Sequence, residues 1–275
     1  MKYIVFTDMD GTLIDHDTYS YEAAKPALDA LKEQGIPLIF CTSKTRAELE
    51  VYVKELDISH PFISENGGAI FIPHNYFDVE YASSGKVGDY DVIELGTGYD
   101  TLRKTLEDIR TSVDFEIIGF GDLDDAGVSE DTGLDIESAR LAKIREYDEA
   151  FRLGEGGDTP EAAKRLIELI KSYGLSHTRG GRYWHIIGDN DKGKAVTILS
   201  EIYRRQFAAD EVKTIGLGDS QNDLPMLQAV DIPLLVQKPG GQHDASITDA
   251  KINKVKGIGP VGWNLAILDI LSSEN

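Results

Sequence analysis

Apolar and polar positions fall into blocks whose period changes along the chain, and the blocks predict the elements. Residues 2–7 (KYIVFT) form a β-branched and aromatic run that ends at an acidic turn, the pattern of a buried strand. Ala23, Ala27, Leu28 and Leu31 then recur at helical spacing, with Pro26 limiting the first turn and Gly35 as a stop signal. Residues 36–41 predict a second apolar strand, 46–56 a helix and 62–64 a third strand. Strand, helix, strand, helix, strand is the signature of a parallel sheet wound with crossover helices.

From Ser84 the texture changes: a Gly- and Ser-containing stretch (ASSGKVGDY) precedes alternating strands and long polar helices. Strands are expected at 91–95 and 115–120 around a helix at 102–109. Further helices are expected at 134–145 and 161–173, and Gly180-Gly181 predicts a hairpin before a strand at 183–187. The α/β texture then resumes with a helix at 195–207, a strand at 212–217, a helix at 224–230, a strand at 232–236 and a closing helix at 264–271. At 275 residues the chain is long enough for two compact units. The expected fold is α/β: a doubly wound, Rossmann-like parallel-sheet core made by residues 1–83 and 187–275, with an α/β domain inserted at 84–186.

Charge narrows the function. Forty-eight acids against 28 bases leave a formal charge of −20, a surface that repels phosphate backbones and anionic lipid heads, so neither nucleic acid nor membrane is an expected partner. An anionic substrate would require the few cations to gather at its site, with help from a bound metal. One cysteine excludes an intramolecular disulfide framework or a Cys-based zinc cluster, and Cys41 reads as a small buried hydrophobe. Runs such as 36–40 and 232–236 are too short to span a bilayer, and no apolar leader follows Met1. The cytoplasm is therefore the expected location.

The candidate chemistry lies where strands end, which in parallel α/β sheets is where ligands bind. The first strand runs into Asp8-Met9-Asp10-Gly11-Thr12, and two carboxylates on one turn can divide labour between nucleophile and proton carrier. The strand at 212–217 runs into Gly218-Asp219-Ser220-Gln221-Asn222-Asp223, a second acidic turn. Such hard oxygen ligands suit Mg²⁺. The second strand ends in Cys41-Thr42-Ser43-Lys44, bringing hydroxyls and an ammonium, both donors to phosphate oxygens, to the same sheet edge; Thr42 and Ser43 equally fit a helix cap before Arg46. Glu65-Asn66-Gly67-Gly68 closes the third strand with two glycines, suited either to close approach of a ligand or to a tight turn. His185, on a strand beside Tyr183 and Trp184, fits packing as well as substrate contact. The stretch from Gly188 to Ala195 nearly spells a P-loop, but Ala195 stands where a hydroxyl must bind Mg²⁺ and two acids would face the phosphates.

In combination these motifs resemble the haloacid dehalogenase-like phosphohydrolases: a DxDGT turn, a Ser or Thr after the second strand, a Lys, and a late GDxxND, in that order. The resemblance implies Asp8 as nucleophile, Asp10 as general acid and then base, Thr42 (or Ser43) as the hydroxyl, Lys192 (or Lys194) as the lysine, and Asp8, Asp10, Asp219 and Asp223 around Mg²⁺. It also implies that the insertion is a cap that selects substrate. SKTRAE at 43–48, SENGG at 64–68, TGL followed by ARLAKIREYDEAF at 139–151, and GGRYWHI at 180–186 are similar to the mannosyl-3-phosphoglycerate phosphatases. That likeness implies a small phosphorylated sugar–glycerate substrate hydrolysed to mannosylglycerate, with glucosyl-3-phosphoglycerate, sucrose-phosphate and broad sugar-phosphate phosphatases as alternatives. Thr12, Ser43, Lys44, Asn66, Gly67, Arg145 and Arg182 are the candidate substrate contacts. The charged run Arg145–Glu149 also has the make-up of a solvated face. A phospho-acceptor signalling module shares clustered Asp, a hydroxyl and a Lys on a similar sheet, but needs no large lid and no second acid.

Overall fold

A computed structural model describes every residue except 158, 209, 274 and 275. The chain opens with β1 (Lys2–Thr7), α1 (Lys25–Glu33), β2 (Leu38–Phe40), α2 (Arg46–Glu55), β3 (Phe62–Ser64) and β4 (Ala69–Pro73). A hairpin of β5 (Gly85–Val87) and β6 (Tyr90–Glu94) leads to α3 (Tyr99–Arg110), β7 (Ile117–Gly119), α4 (Asp125–Thr132) and α5 (Ile136–Ala142). Next come β8 (Asp148–Leu153), α6 (Pro160–Ser172), β9 (Ser176–Gly180) and β10 (Tyr183–Ile187). The chain closes with α7 (Lys192–Gln206), β11 (Val212–Gly218), α8 (Leu224–Ala229), β12 (Ile232–Gln237), β13 (Asn253–Ile258) and α9 (Pro260–Ser272).

Five strands form a parallel sheet in the order β13-β12-β11-β1-β2. Residues 4–7 of β1 are all buried because helices cover both sheet faces. Val5 packs with Leu31 of α1 and Trp263 of α9, while Ile4 and Phe6 pack with Leu199 of α7 and Leu227 of α8. This is the doubly wound α/β core. A second sheet, β3-β4-β6-β5, is antiparallel and joins the first through a bridge between Cys41 and Ile63. A third, β7-β8-β10-β9, is also antiparallel and carries α3 and α6 against one face. Among the described residues no helix is long and apolar enough to cross a membrane.

The β5–β6 hairpin, inside the expected insertion, pairs through β6 with β4, so a cut at residue 84 runs through a sheet. The segment with its own sheet therefore runs from α3 to β10. The helix expected at 134–145 is shorter: Asp135 caps it by accepting from the N–H groups of Glu137 and Ser138, and it ends at Ala142. The run Arg145–Glu149 is not a solvated face. It leads into β8, whose Asp148 and Glu149 are fully buried because each has cationic and hydrogen-bonding partners.

Candidate active site

Because β1 and β11 lie side by side in register, Asp8 and Asp219 leave the sheet at the same edge, and the Asp8 N–H bonds the Leu217 carbonyl at 2.9 Å. Glycines let the two acidic turns close on one another. Gly11 has φ +74°, and a Cβ there would lie 3.1 Å from Asp219 Oδ2, whereas a Cβ on Gly218 would meet that of Asp223 at 2.4 Å. Carboxylate oxygens of Asp8, Asp219 and Asp223 lie within 4.8 Å of one another. Fully buried Lys192 ties this group together, its Nζ standing 2.6 Å from both Asp8 Oδ1 and Asp223 Oδ1. Lys194 is instead exposed on Asp189. Asp223 is the anchor of its turn, its Oδ2 accepting from the N–H groups of Asp219 and Ser220 at 2.9 and 3.0 Å.

Lys192 bonds two of the three carboxylates, and Lys238, which acts on Asp219, is itself paired with Asp244, so the cluster is short of positive charge. Burial raises Asp8 well above the usual carboxylate range, Asp223 and Asp219 push the same way, and Lys192 opposes them. Burial, then Asp223, pushes Asp219 to about 6. Three hard oxygen donors facing one point with unbalanced charge fit a divalent cation. Asp10 lies outside this trio: its Oδ1 meets Lys44 Nζ at 3.0 Å, and its side chain, 36% exposed, opens to a cavity of about 740 Å³.

Lys44 is buried between Asp10 and Glu48 and beneath the rings of Tyr19 and Tyr52; burial opposes its charge, but the two acids outweigh it and keep it cationic. Ser43 lines the cavity. Thr42 is fully buried and turns inward, its Oγ1 accepting from the Lys44 N–H at 3.3 Å. Thr12 is likewise fully buried, with its hydroxyl unpartnered among the described residues. Gly67 serves architecture: at φ +84°, a Cβ would fall 2.2 Å from the Asp191 carbonyl, so its absence lets the start of α7, and with it Lys192, pack close.

The α3–β10 segment forms the roof. Arg145 belongs to this segment, between α5 and β8, its side chain 3% exposed, with Nε on the Asp148 carbonyl at 2.6 Å, Nη1 on the Ala142 carbonyl and Nη2 on the Ser43 carbonyl at 3.0 Å. Arg182, at the rim of the same cavity, is exposed and donates to the Thr132 carbonyl. Three residues outside the sequence-based set complete a chain of contacts: Asn222 donates to Asn66 Oδ1 at 3.2 Å, Asn66 to Asp148 Oδ2 at 2.7 Å, and His185 Nδ1 meets Asp148 Oδ1 at 2.8 Å. Burial alone would raise Asp148, but His185, Arg145 and Asn66 outweigh it and hold the carboxyl below its usual range. Asn66 is thus a tie between the two halves of the molecule. Only the GDxxND motif marked Asn222, and nothing in DEAFRL marks Asp148 as buried.

A profile of the haloacid dehalogenase-like hydrolases matches residues 5–93, the stretch holding Asp8, Asp10 and the hydroxyl loop. The chain belongs to that family. It is 66% identical over all 275 residues, and over 99% of the relative, to the glucosyl-3-phosphoglycerate/mannosyl-3-phosphoglycerate phosphatase of Methanococcoides burtonii. The protein of the same name from Persephonella marina is 39% identical, over 98% of this chain and 97% of its own. Among solved structures, a Thermoplasma acidophilum protein shares the fold, with TM-score 0.68 at 20% identity, covering 98% of this chain and 99% of that one.

Proposed function

We propose that the chain is a Mg²⁺-dependent phosphatase that hydrolyses glycosyl-3-phosphoglycerates, mannosyl and glucosyl alike, to the glycosylglycerate and phosphate. The observation that carries the chemistry is the placement of Asp8, fixed by Lys192, next to Asp10 at the floor of a cavity roofed by the inserted segment. Names and near-complete coverage of the two relatives support the substrate.

An Asp8 oxygen attacks phosphorus while the ester bond to the glycerate oxygen breaks, and Asp10 delivers its proton to the departing alkoxide. Asp10 then takes a proton from water, whose oxygen attacks the aspartyl phosphate; the bond to Asp8 breaks and phosphate leaves. Asp8, Asp219 and Asp223 would hold the Mg²⁺, which neutralises phosphoryl charge and keeps these acids ionised. Lys192 holds Asp8 in place, and Ser43 and Lys44 are donors for the phosphoryl oxygens. A signalling phospho-acceptor has no use for Asp10 beside the nucleophile or for the roof.

Removing divalent cations with a chelator should abolish phosphate release from mannosyl- and glucosyl-3-phosphoglycerate, and Mg²⁺ should restore it. Asp8→Asn should be inert, and Asp10→Asn should lose about 10²- to 10⁴-fold in kcat. Undiminished turnover in excess chelator, or an active Asp8→Asn enzyme, would overturn the reading. A panel with sucrose-phosphate and simple sugar phosphates tests the substrate: faster hydrolysis of these than of glycosyl-3-phosphoglycerates would replace it.

A further inference from the structure

The cap sheet presents one face to helices and the other to the cavity, and His185 is on the second. Along β10, Trp184 and Ile186 point to the helix-covered side, where they pack with Leu106 and Leu166. Tyr183 and His185 alternate to the opposite face and line the cavity. His185 pairs across the sheet with Ala150, a small residue that also lines the cavity, and Phe120 stands edge-on to Tyr183 with ring centroids 5.1 Å apart. The result is a slot with aromatic walls, a methyl group at its base and one imidazole.

That imidazole is oriented. Asp148 is an acceptor for His185 Nδ1, so Nδ1 carries hydrogen and Nε2 is the nitrogen left to the cavity, with no protein partner among the described residues. Asp148 is itself fixed by Arg145 and Asn66, so the ring cannot turn without breaking a buried network. A neutral ring offers Nε2 as acceptor and a charged ring as donor. A hydroxyl answers either state, because it both donates and accepts, whereas a carboxylate answers only the charged one. Cations elsewhere on the cavity wall, Lys44 and Arg182, already suit the anionic parts of a substrate.

We propose that His185 is a specificity-determining residue that hydrogen-bonds a hydroxyl of the substrate's glycosyl ring, in a slot walled by Phe120, Tyr183 and Ala150. This deepens the substrate reading above and rests on it. 3-Phosphoglycerate has the phosphate and the glycerate but no sugar, and p-nitrophenyl phosphate has the phosphate alone, so the three esters separate the sugar's contribution from the rest.

Replacing His185 with Ala should lower kcat/KM for mannosyl- or glucosyl-3-phosphoglycerate on the order of ten- to a hundredfold. The replacement also takes a partner from buried Asp148, so 3-phosphoglycerate and p-nitrophenyl phosphate, which lack the sugar, report that shared loss, and a fall on the order of ten- to a hundredfold should remain in the ratio of kcat/KM for the glycosyl esters to that for these two. His185→Gln, which keeps a polar atom there, should recover part of the loss. Monodeoxy sugars complete the cycle: one deoxy position should cost the wild type as much as the Ala variant loses in that ratio, and cost the variant nothing further. If His185→Ala does not fold, the same cycle is read between wild type and His185→Gln. Equal losses on all three esters, or no deoxy position that couples to residue 185, would overturn the inference. Failure of the wild type to hydrolyse either glycosyl-3-phosphoglycerate would instead overturn the substrate reading. The variant is then compared on the sugar phosphate hydrolysed fastest and on p-nitrophenyl phosphate, and an unchanged ratio overturns the His185 inference as well.

Discussion

Arg145 and Arg182 both line the cavity, yet their surroundings assign them opposite tasks. Each side-chain nitrogen of Arg145 already donates to a protein oxygen, and its charge faces buried Asp148 and Glu65. Arg145→Ala would leave these acids short of a cation, a change that costs about 3–5 kcal/mol in buried pairs. A lowered melting temperature and parallel losses on every ester are expected. Arg182 bonds one backbone carbonyl and has no carboxylate partner among the described residues, so its charge is available to an anion. Arg182→Ala should leave melting unchanged and reduce kcat/KM for glycosyl-3-phosphoglycerate about tenfold relative to p-nitrophenyl phosphate. Steady-state kinetics beside thermal melts separate the two. The sequence shows where the core acids sit, since Asp8 and Asp219 end apolar runs. It does not show that Arg145 is spoken for, because its partner Asp148 opens a strand that begins with two acids.

At the scale of elements, turn geometry carries the site. Gly67 is left-handed and packed on the backbone that starts α7, so Gly67→Ala must push that helix end away. Since Lys192 is the first residue of α7, Asp8 loses its anchor in the same movement. A kcat loss of more than about tenfold is expected even on p-nitrophenyl phosphate, measured on protein that still gives native far-UV dichroism. The Asp148 tie between β8, β10 and the Asn66 turn predicts a pH effect. Its carboxyl is held low in the folded state, so the unfolded chain binds more protons in the window between the folded value and the ordinary Asp value. Stability from this group is therefore present above that ordinary value and lost as pH falls through the folded one. Asp148→Asn should flatten the acid limb of the melting temperature against pH. Long apolar runs such as β1 and β12 are legible in the sequence because burial on both faces demands them. Strand β13 is not, since as an edge strand it leaves Asn253, Lys254, Lys256 and Ile258 exposed.

Across the whole molecule, the pairing of β1 with β11 joins residues 2–7 to residues 212–217 with the entire α3–β10 segment between them. The central pair of the core sheet cannot form until most of the chain is present, whereas the third sheet and its helices are built from one continuous stretch. Closing so long a loop is slow compared with forming contacts among near neighbours. Refolding should therefore proceed in two stages, roof before floor. The chain carries its own reporters: Trp184 lies against the helices of the roof, and Trp263, bonded through Nε1 to Thr7 Oγ1 at 3.0 Å, lies in the core. In stopped-flow refolding of the two single-tryptophan variants, Trp184→Phe and Trp263→Phe, the Trp184 signal should settle first and the Trp263 signal should track the return of activity. On a ribosome the same order would leave β1 without its β11 neighbour while some 200 residues are made, an interval in which an apolar strand edge is open to the wrong partner.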